Sequence, residues 1–238
     1  MGNKLMSYGI GEIAKMANST MQQLDVVAHN LANLATPGFK VEHIYQVDKT
    51  SADKDNVAGK TFLMVDHSAG LMQRTDNALD VAVQGDGFFV IENKAGVAYT
   101  RKGNFSIRNN ELVTQSGDKV RGEAGPIKIN GRNVTIENNG TVMVDGNEAG
   151  RLQMVRFDNQ RNLIRQGDGL FRDPGTAGNR KMAVADLAPR HLEMANVNAI
   201  KEMADMIDIQ RSFESYQKVM QTIQDLDKLS TSRVGRLA

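Results

Sequence analysis

The sequence predicts an α+β fold in which long amino- and carboxy-terminal helices form a coiled-coil-like bundle and flank an inserted, antiparallel all-β domain. Three observations predict it. Apolar residues near both ends recur in steps of three and four, the period of a helix face. The middle of the chain instead shows short alternating or apolar runs punctuated by Gly, Asn and Asp. No helical stretch separates those runs, which argues for an antiparallel sandwich or irregular barrel over βαβ units.

The amino-terminal stripe comprises Ile10, Ile13, Ala17, Met21, Leu24, Val27, Ala28, Leu31 and Leu34, so a helix is expected over residues 10–35. Thr36-Pro37-Gly38 should end it, because a proline disfavours helix at the residue before it and Gly38 supplies the positive φ of a turn. Residues 42–66 contain Asp48, Lys49, Ser51, Asp53, Lys54, Asp55 and Asn56 with little periodicity and read as a long excursion or partly mobile arm. Strands are expected at 79–83, 88–92, 105–108, 133–137, 141–145 and 152–157. Turn signals between them include Asn109-Asn110, Asn130-Gly131, Asn138-Asn139-Gly140 and Asp145-Gly146.

After Asn196-Val197-Asn198 a second helix is expected to about residue 231, with Met206, Ile209, Phe213, Tyr216, Met220 and Ile223 as a heptad seam. The expected organisation is therefore a terminal helical core from 1–36 and 196–238, a linker or arm at 37–75, and a β domain at 76–195. Burying six seam side chains is worth roughly 9–18 kcal/mol gross. Ordering the helix costs on the order of 1–2 kcal/mol per residue in backbone entropy. Neither helix is stable alone, and pairing them still leaves Ile200, Met203, Ile207, Leu226 and Leu229 off the main seam. Burial is expected to be completed between subunits, with termini loosely ordered in the free monomer.

The segment Gln84-Gly85-Asp86-Gly87-Phe88-Phe89 is echoed by Gln166-Gly167-Asp168-Gly169-Leu170-Phe171. A turn reused where the sheet needs it accounts for this, with Gly supplying positive φ and Asp bonding nearby backbone.

Lys and Arg nearly balance Asp and Glu, giving a net charge of +1, which is no electrostatic footprint for nucleic acid or an anionic membrane. There is no Cys, which removes disulfides, thiolate zinc sites and Cys nucleophiles. No run approaches the roughly 18 apolar residues of a membrane span, and no cleavable signal is visible at the start. Met6 stands where a myristoylation signal after Gly2 wants Ser or Thr. The histidines His29, His43, His67 and His191 are dispersed without a metal-binding spacing. His29 reads as a polar-face helix residue. The carboxylate pairs Asp80 with Asp86 and Asp168 with Asp173 read as solvated turn acids, and phosphate-loop, EF-hand and GxSxG patterns are missing. No catalytic, cofactor or metal site is expected.

Three ordered segments resemble the flagellar basal-body rod and hook family. Residues 24–33 followed by 36–40 are similar to its amino-terminal signature through Asn30, Asn33, Gly38, Phe39 and Lys40, with His29 in place of the usual Asn. Residues 75–89 are similar to the opening of its β domain through Gln84, Gly85, Asp86, Gly87 and Phe88, together with Tyr99-Thr100-Arg101 and Gly103-Asn104-Phe105. Asn196, Asn198, Glu202, Met203, Met206, Ile207, Gln210 and Arg211 match its carboxy-terminal helix. Val234-Gly235-Arg236 and the compact length favour the proximal rod type.

The resemblance implies an axial subunit that assembles helically through its terminal helices and transmits torque. Its partners would be copies of itself, other rod subunits and the flagellar type III export apparatus. Its place would be the periplasmic rod, reached without a cleavable signal. Distal rod and hook-type subunits of the same family are the nearest alternative. A coiled-coil dimer whose Gly-Asp-Gly turns grip a glycan or peptide is a second, and a hydrolase acting through Asp86 and Asp168 a third.

Overall fold

The computed structural model describes residues 2–46, 61–178, 180–183 and 185–234. It is an α+β fold with a helix at each end and a largely antiparallel β region between them. Contacts divide the chain into two compact units. One comprises Met1–Ala32, Ile44–Phe62 and Asn198–Ala238, the other Asn33–His43 and Leu63–Val197.

In the first unit, α1 (Gly2–Ala32) packs along α2 (Ala199–Val234). The helix starts earlier than the stripe from Ile10 suggests and stops at Ala32 instead of residue 35. The early stop has a local cause. The Thr36 amide donates to the Asn33 carbonyl at 3.0 Å and the Thr36 hydroxyl to Asn33 Oδ1 at 3.2 Å, so a turn closes before the proline is reached. At the other helix, Asn198 is the N-cap, its Oδ1 accepting the Lys201 amide at 3.1 Å. Helix α2 runs slightly past the expected end, to Val234.

Met206, Ile209, Phe213, Tyr216, Met220 and Ile223 are all partly buried while their neighbours at intermediate positions are exposed. On α1, Ile13, Leu24, Val27 and Leu31 are partly buried, whereas Met21 is 53% exposed and departs from the seam. Asn30 and Glu202, both buried, tie the two helices through an Asn30 Nδ2 to Glu202 Oε2 hydrogen bond of 3.1 Å. The side chains of Ile10 and Leu229, and residues 235–236, lie outside the described residues, as does most of the expected arm, 47–60.

The second unit holds a ten-stranded sheet, a three-stranded sheet at Val134–Arg151 and two short ladders. All the registered pairs are antiparallel, and consecutive strands mostly pair through tight hairpins. The strand Phe88–Asn93 is buried on both faces over its first four residues. Phe89 enters one core with Val81, Phe105, Leu112, Val142 and Leu152, and Phe88 and Val90 enter another with Tyr99, Phe157, Leu163 and Phe171. Six of the eight phenylalanines are buried, which is where the small aromatic complement goes.

Strands also form outside the region where the sequence shows them. Met72–Arg74 pairs with His191–Glu193, and Leu187–Pro189 pairs with Val81–Val83, which lies within the strand expected at 79–83. Glu42–Gln46 and Thr61–Val65, read from sequence as part of an irregular excursion, form a two-stranded ladder.

The Asn109-Asn110, Asp145-Gly146 and Asp168-Gly169 turns each carry two consecutive residues with positive φ, between 46° and 82°, the signature of a type I′ hairpin. The two Gly-Asp-Gly segments are therefore not conformational twins. The second is a hairpin tip, whereas Gln84 to Gly87 joins strands of two different sheets, with only Gly85 at positive φ.

Candidate functional site

The most unusual chemistry is a buried ionic junction in the second unit, where residues 38–41, 66–70 and 193–196 meet Arg101. Lys40, Arg101 and Glu193 are each no more than 2% exposed. Lys40 Nζ donates to Glu193 Oε1 at 2.6 Å and to the Ser68 carbonyl at 2.5 Å. The Gly70 amide donates to the same carboxylate oxygen at 3.0 Å, and an Arg101 Nη1 lies 3.6 Å from Glu193 Oε2. One carboxylate thus serves two buried cations. Its Oε1 accepts two hydrogen bonds, whereas Oε2 and Arg101 Nη1 meet only as an ion contact and, among the described residues, Arg101 Nε makes no hydrogen bond, which leaves part of the desolvation cost uncompensated.

Neighbouring groups complete the junction. Asn196 Oδ1 accepts the Val41 amide at 2.8 Å, while its Nδ2 donates to the Asp66 carbonyl and to Ser68. The Gly38 amide donates to the Glu193 carbonyl at 2.6 Å, and Gly38 holds φ +65° with its Cα against the Arg101 backbone. A Cβ there would come within 2.6 Å of the Arg101 carbonyl carbon, so both conformation and space require glycine. Arg101 lies over the Phe88 ring at 5.4 Å, and Arg165 lies over Phe39 at 4.4 Å while pairing with Glu42 at 3.0 Å.

Burial pushes the Lys40 ammonium and the Arg101 guanidinium below their ordinary ranges, and Glu193 opposes the shift in both. His67 packs edge-on to Phe88 and against Phe171, at 5.7 and 5.2 Å between ring centres. Burial first, then the Lys40 and Arg101 charges, pull its ring down to about 4. Burial would raise Asp66, but hydrogen bonds from Ser68 together with the charges of His43 and Lys40 outweigh it and hold the carboxyl below its ordinary value.

The junction gathers residues that the sequence motifs singled out separately: Gly38, Lys40, Phe88 and Asn196, with the charge of Asp86 acting on Arg101. Phe39 is buried beside it. It leaves out Asn33, which closes the α1 turn, Asn198, which caps α2, and Asn30, which bonds Glu202. Gln84 and Gly85 are exposed, Gly87 is buried, and Gln210 and Arg211 are exposed on α2. Glu193 and His67 are the residues sequence reasoning missed, while Arg101 is marked only as part of the Tyr99-Thr100-Arg101 segment. A lone buried Lys followed far along the chain by an unmatched Glu gives no local signal.

The paired acids considered for catalysis have other uses. Asp168 accepts Lys102 at 2.6 Å and Ser116 at 2.5 Å, riveting its hairpin tip to two neighbouring turns. Burial would raise its carboxyl, but those two partners hold it below the ordinary value. Asp173 caps the Gly175 and Ala177 amides, and Asp80 accepts Asn77 Nδ2 at 2.9 Å. Among the described residues no three metal-capable side chains cluster.

The amino-terminal helix with the Gly38-Phe39-Lys40 segment after it, a β region opened by residues 81–89 and a carboxy-terminal helix capped by Asn198 match three family profiles in that order. Residues 17–40 match the flagella basal body rod protein profile, 82–144 the D1 domain of flagellar hook protein FlgE/F/G, and 188–233 the carboxy-terminal region of flagellar basal body rod FlgEFG protein. The chain belongs to the flagellar basal-body rod protein family.

Within it, the chain is 32% identical to the flagellar basal-body rod protein FlgF of Caulobacter vibrioides, over 91% of this chain and 93% of the relative. It is 32% identical to FlgF of Salmonella typhimurium, over 92% and 95%, and 32% identical to FlgG of Bacillus subtilis, over 86% and 90%.

Proposed function

We propose that this protein is a structural axial subunit of the proximal rod in the flagellar basal body, FlgF-like, that assembles helically through its terminal helices. The observation that carries the reading is a set of large apolar side chains left in water on the two helices. Ile200, Met203, Ile207 and Leu226 on α2, and Met16 and Met21 on α1, are each at least half exposed. A set of this kind on a chain with no membrane-crossing helix among its described residues is a surface for protein partners. Head-to-tail contacts that do not close propagate a filament, which suits a rod.

In this reading the helices of neighbouring copies form a coiled-coil-like core that transmits torque, and no reaction is catalysed. Partners are copies of the chain, other rod subunits and, on the way out, the flagellar type III export apparatus. The site of action is the periplasmic rod.

The test is complementation of a motile bacterium lacking its own FlgF. The full chain should restore swimming and be recovered in purified basal bodies, and the chain lacking residues 199–238 should do neither. Rods of normal composition and function built with the truncated chain would refute assembly through the helices.

A further inference from the structure

The junction contains one group that the ion pairing does not use. His67 sits at the aromatic wall of the cluster, between Phe88 and Phe171. Both of its ring nitrogens are buried, and among the described residues neither makes a well-formed hydrogen bond, the backbone of Gln160 offering only a marginal one. The charges that face it are Lys40 and Arg101, with Asp66 as a smaller, opposing contribution. Behind them stand Glu193, already shared by both cations, and Asp86, which acts on Arg101.

We infer that His67 is the proton-sensitive pin of a clasp, closed while the ring is neutral and opened when it takes up one proton. The proton would come from solvent onto a buried ring nitrogen. It would place a third positive charge beside Lys40 and Arg101, where one buried carboxylate is present. Beyond the marginal Gln160 carbonyl, which can serve one N–H at most, no acceptor stands ready among the described residues to bond the new N–H. The cheapest response is local: residues 66–70 lift away from 38–41 and from Glu193 and Asn196, and His67 reaches water. The β cores contain none of these charges and stay closed.

The direction of the effect follows from the ring's position. In the closed clasp it titrates at about 4, and in water near 6.5. The open form therefore binds protons more readily between those values, and opening becomes easier as pH falls through that window, by up to about tenfold per unit. Above 6.5 the clasp gains nothing further from this residue.

Amide hydrogen exchange on the full chain, corrected for intrinsic rates, reads the clasp directly. The Gly38, Val41, Asp66 and Gly70 amides all donate to its acceptors. Their opening should rise steeply from pH 6.5 to 4, while Val90 and Leu112 in the cores stay protected. His67→Gln and His67→Phe should both flatten the dependence. In parallel, the His67 Cε1–Hε1 resonance should titrate well below the ordinary histidine range.

A flat wild-type profile would overturn the inference, and variants as steep as wild type would overturn it by shifting the effect to a carboxylate. Core amides opening together with the clasp would replace local release by global unfolding. A ring that titrates near 6.5 while the four amides remain protected would also overturn it. Should His67→Phe fail to fold, His67→Gln and the resonance titration carry the test.

Discussion

Glu193 is the residue on which the β unit's ionic balance turns. Its carboxylate lies against Lys40 and Arg101, and its backbone carbonyl accepts Gly38. Truncation to Ala leaves two cations in the interior without their buried counter-charge, the more distant Asp86 and Asp66 acting only weakly, a loss of about 3–5 kcal/mol. Urea unfolding of Glu193→Ala should show that drop, and Lys40→Met placed in the same chain should recover part of it, because it removes one orphaned charge. A loss below about 1 kcal/mol would mean that water has entered the junction. Lys40 is legible in the sequence only through its place in a family signature. Arg101 shares that kind of mark through Tyr99-Thr100-Arg101, but Glu193 has none, since its pairing with Lys40 spans 153 residues and its side chain sits in no recognisable local pattern.

Hairpin turns were far more legible than the strands they join. A type I′ turn is written in two adjacent residues, so Asn109-Asn110 and Asp145-Gly146 announce themselves without tertiary information. Gly146 isolates the cost of that conformation. It holds φ +82°, and an added Cβ would meet nothing within 4 Å. Gly146→Ala should therefore cost about 1–2 kcal/mol through backbone strain alone, measurable as a lower denaturation midpoint with an unchanged slope. The three-residue strands Met72–Arg74 and His191–Glu193 were illegible because a run that short has no period to read and pairs across more than a hundred residues. The α2 seam was legible because six side chains repeat the same spacing, whereas the end of α1 was missed because a Thr36–Asn33 turn overtakes the proline signal.

At the scale of the whole molecule, the two helices do not satisfy their own apolar surface. Their seam residues are only partly buried, and a second stripe at Ile200, Met203 and Ile207 runs along α2 at i, i+3 and i+7, off that seam. Full burial of such side chains is worth about 1.5–3 kcal/mol each, so three of them recovered at every contact supply enough to order a polymer and too little to aggregate a dilute monomer. Ile200→Glu with Ile207→Glu tests this without touching the seam. Both positions are already half or more in water, so the monomer's unfolding free energy should move by less than about 0.5 kcal/mol and its helical circular dichroism should stay unchanged. Assembly should fail, because each neighbour would have to bury an unpaired carboxylate against apolar surface. Sedimentation at rising concentration, with electron micrographs of basal bodies from cells carrying the variant, reads the outcome. Normal rods would place the contact elsewhere on the molecule, and a monomer destabilised by several kcal/mol would mean that the stripe belongs to the chain's own core.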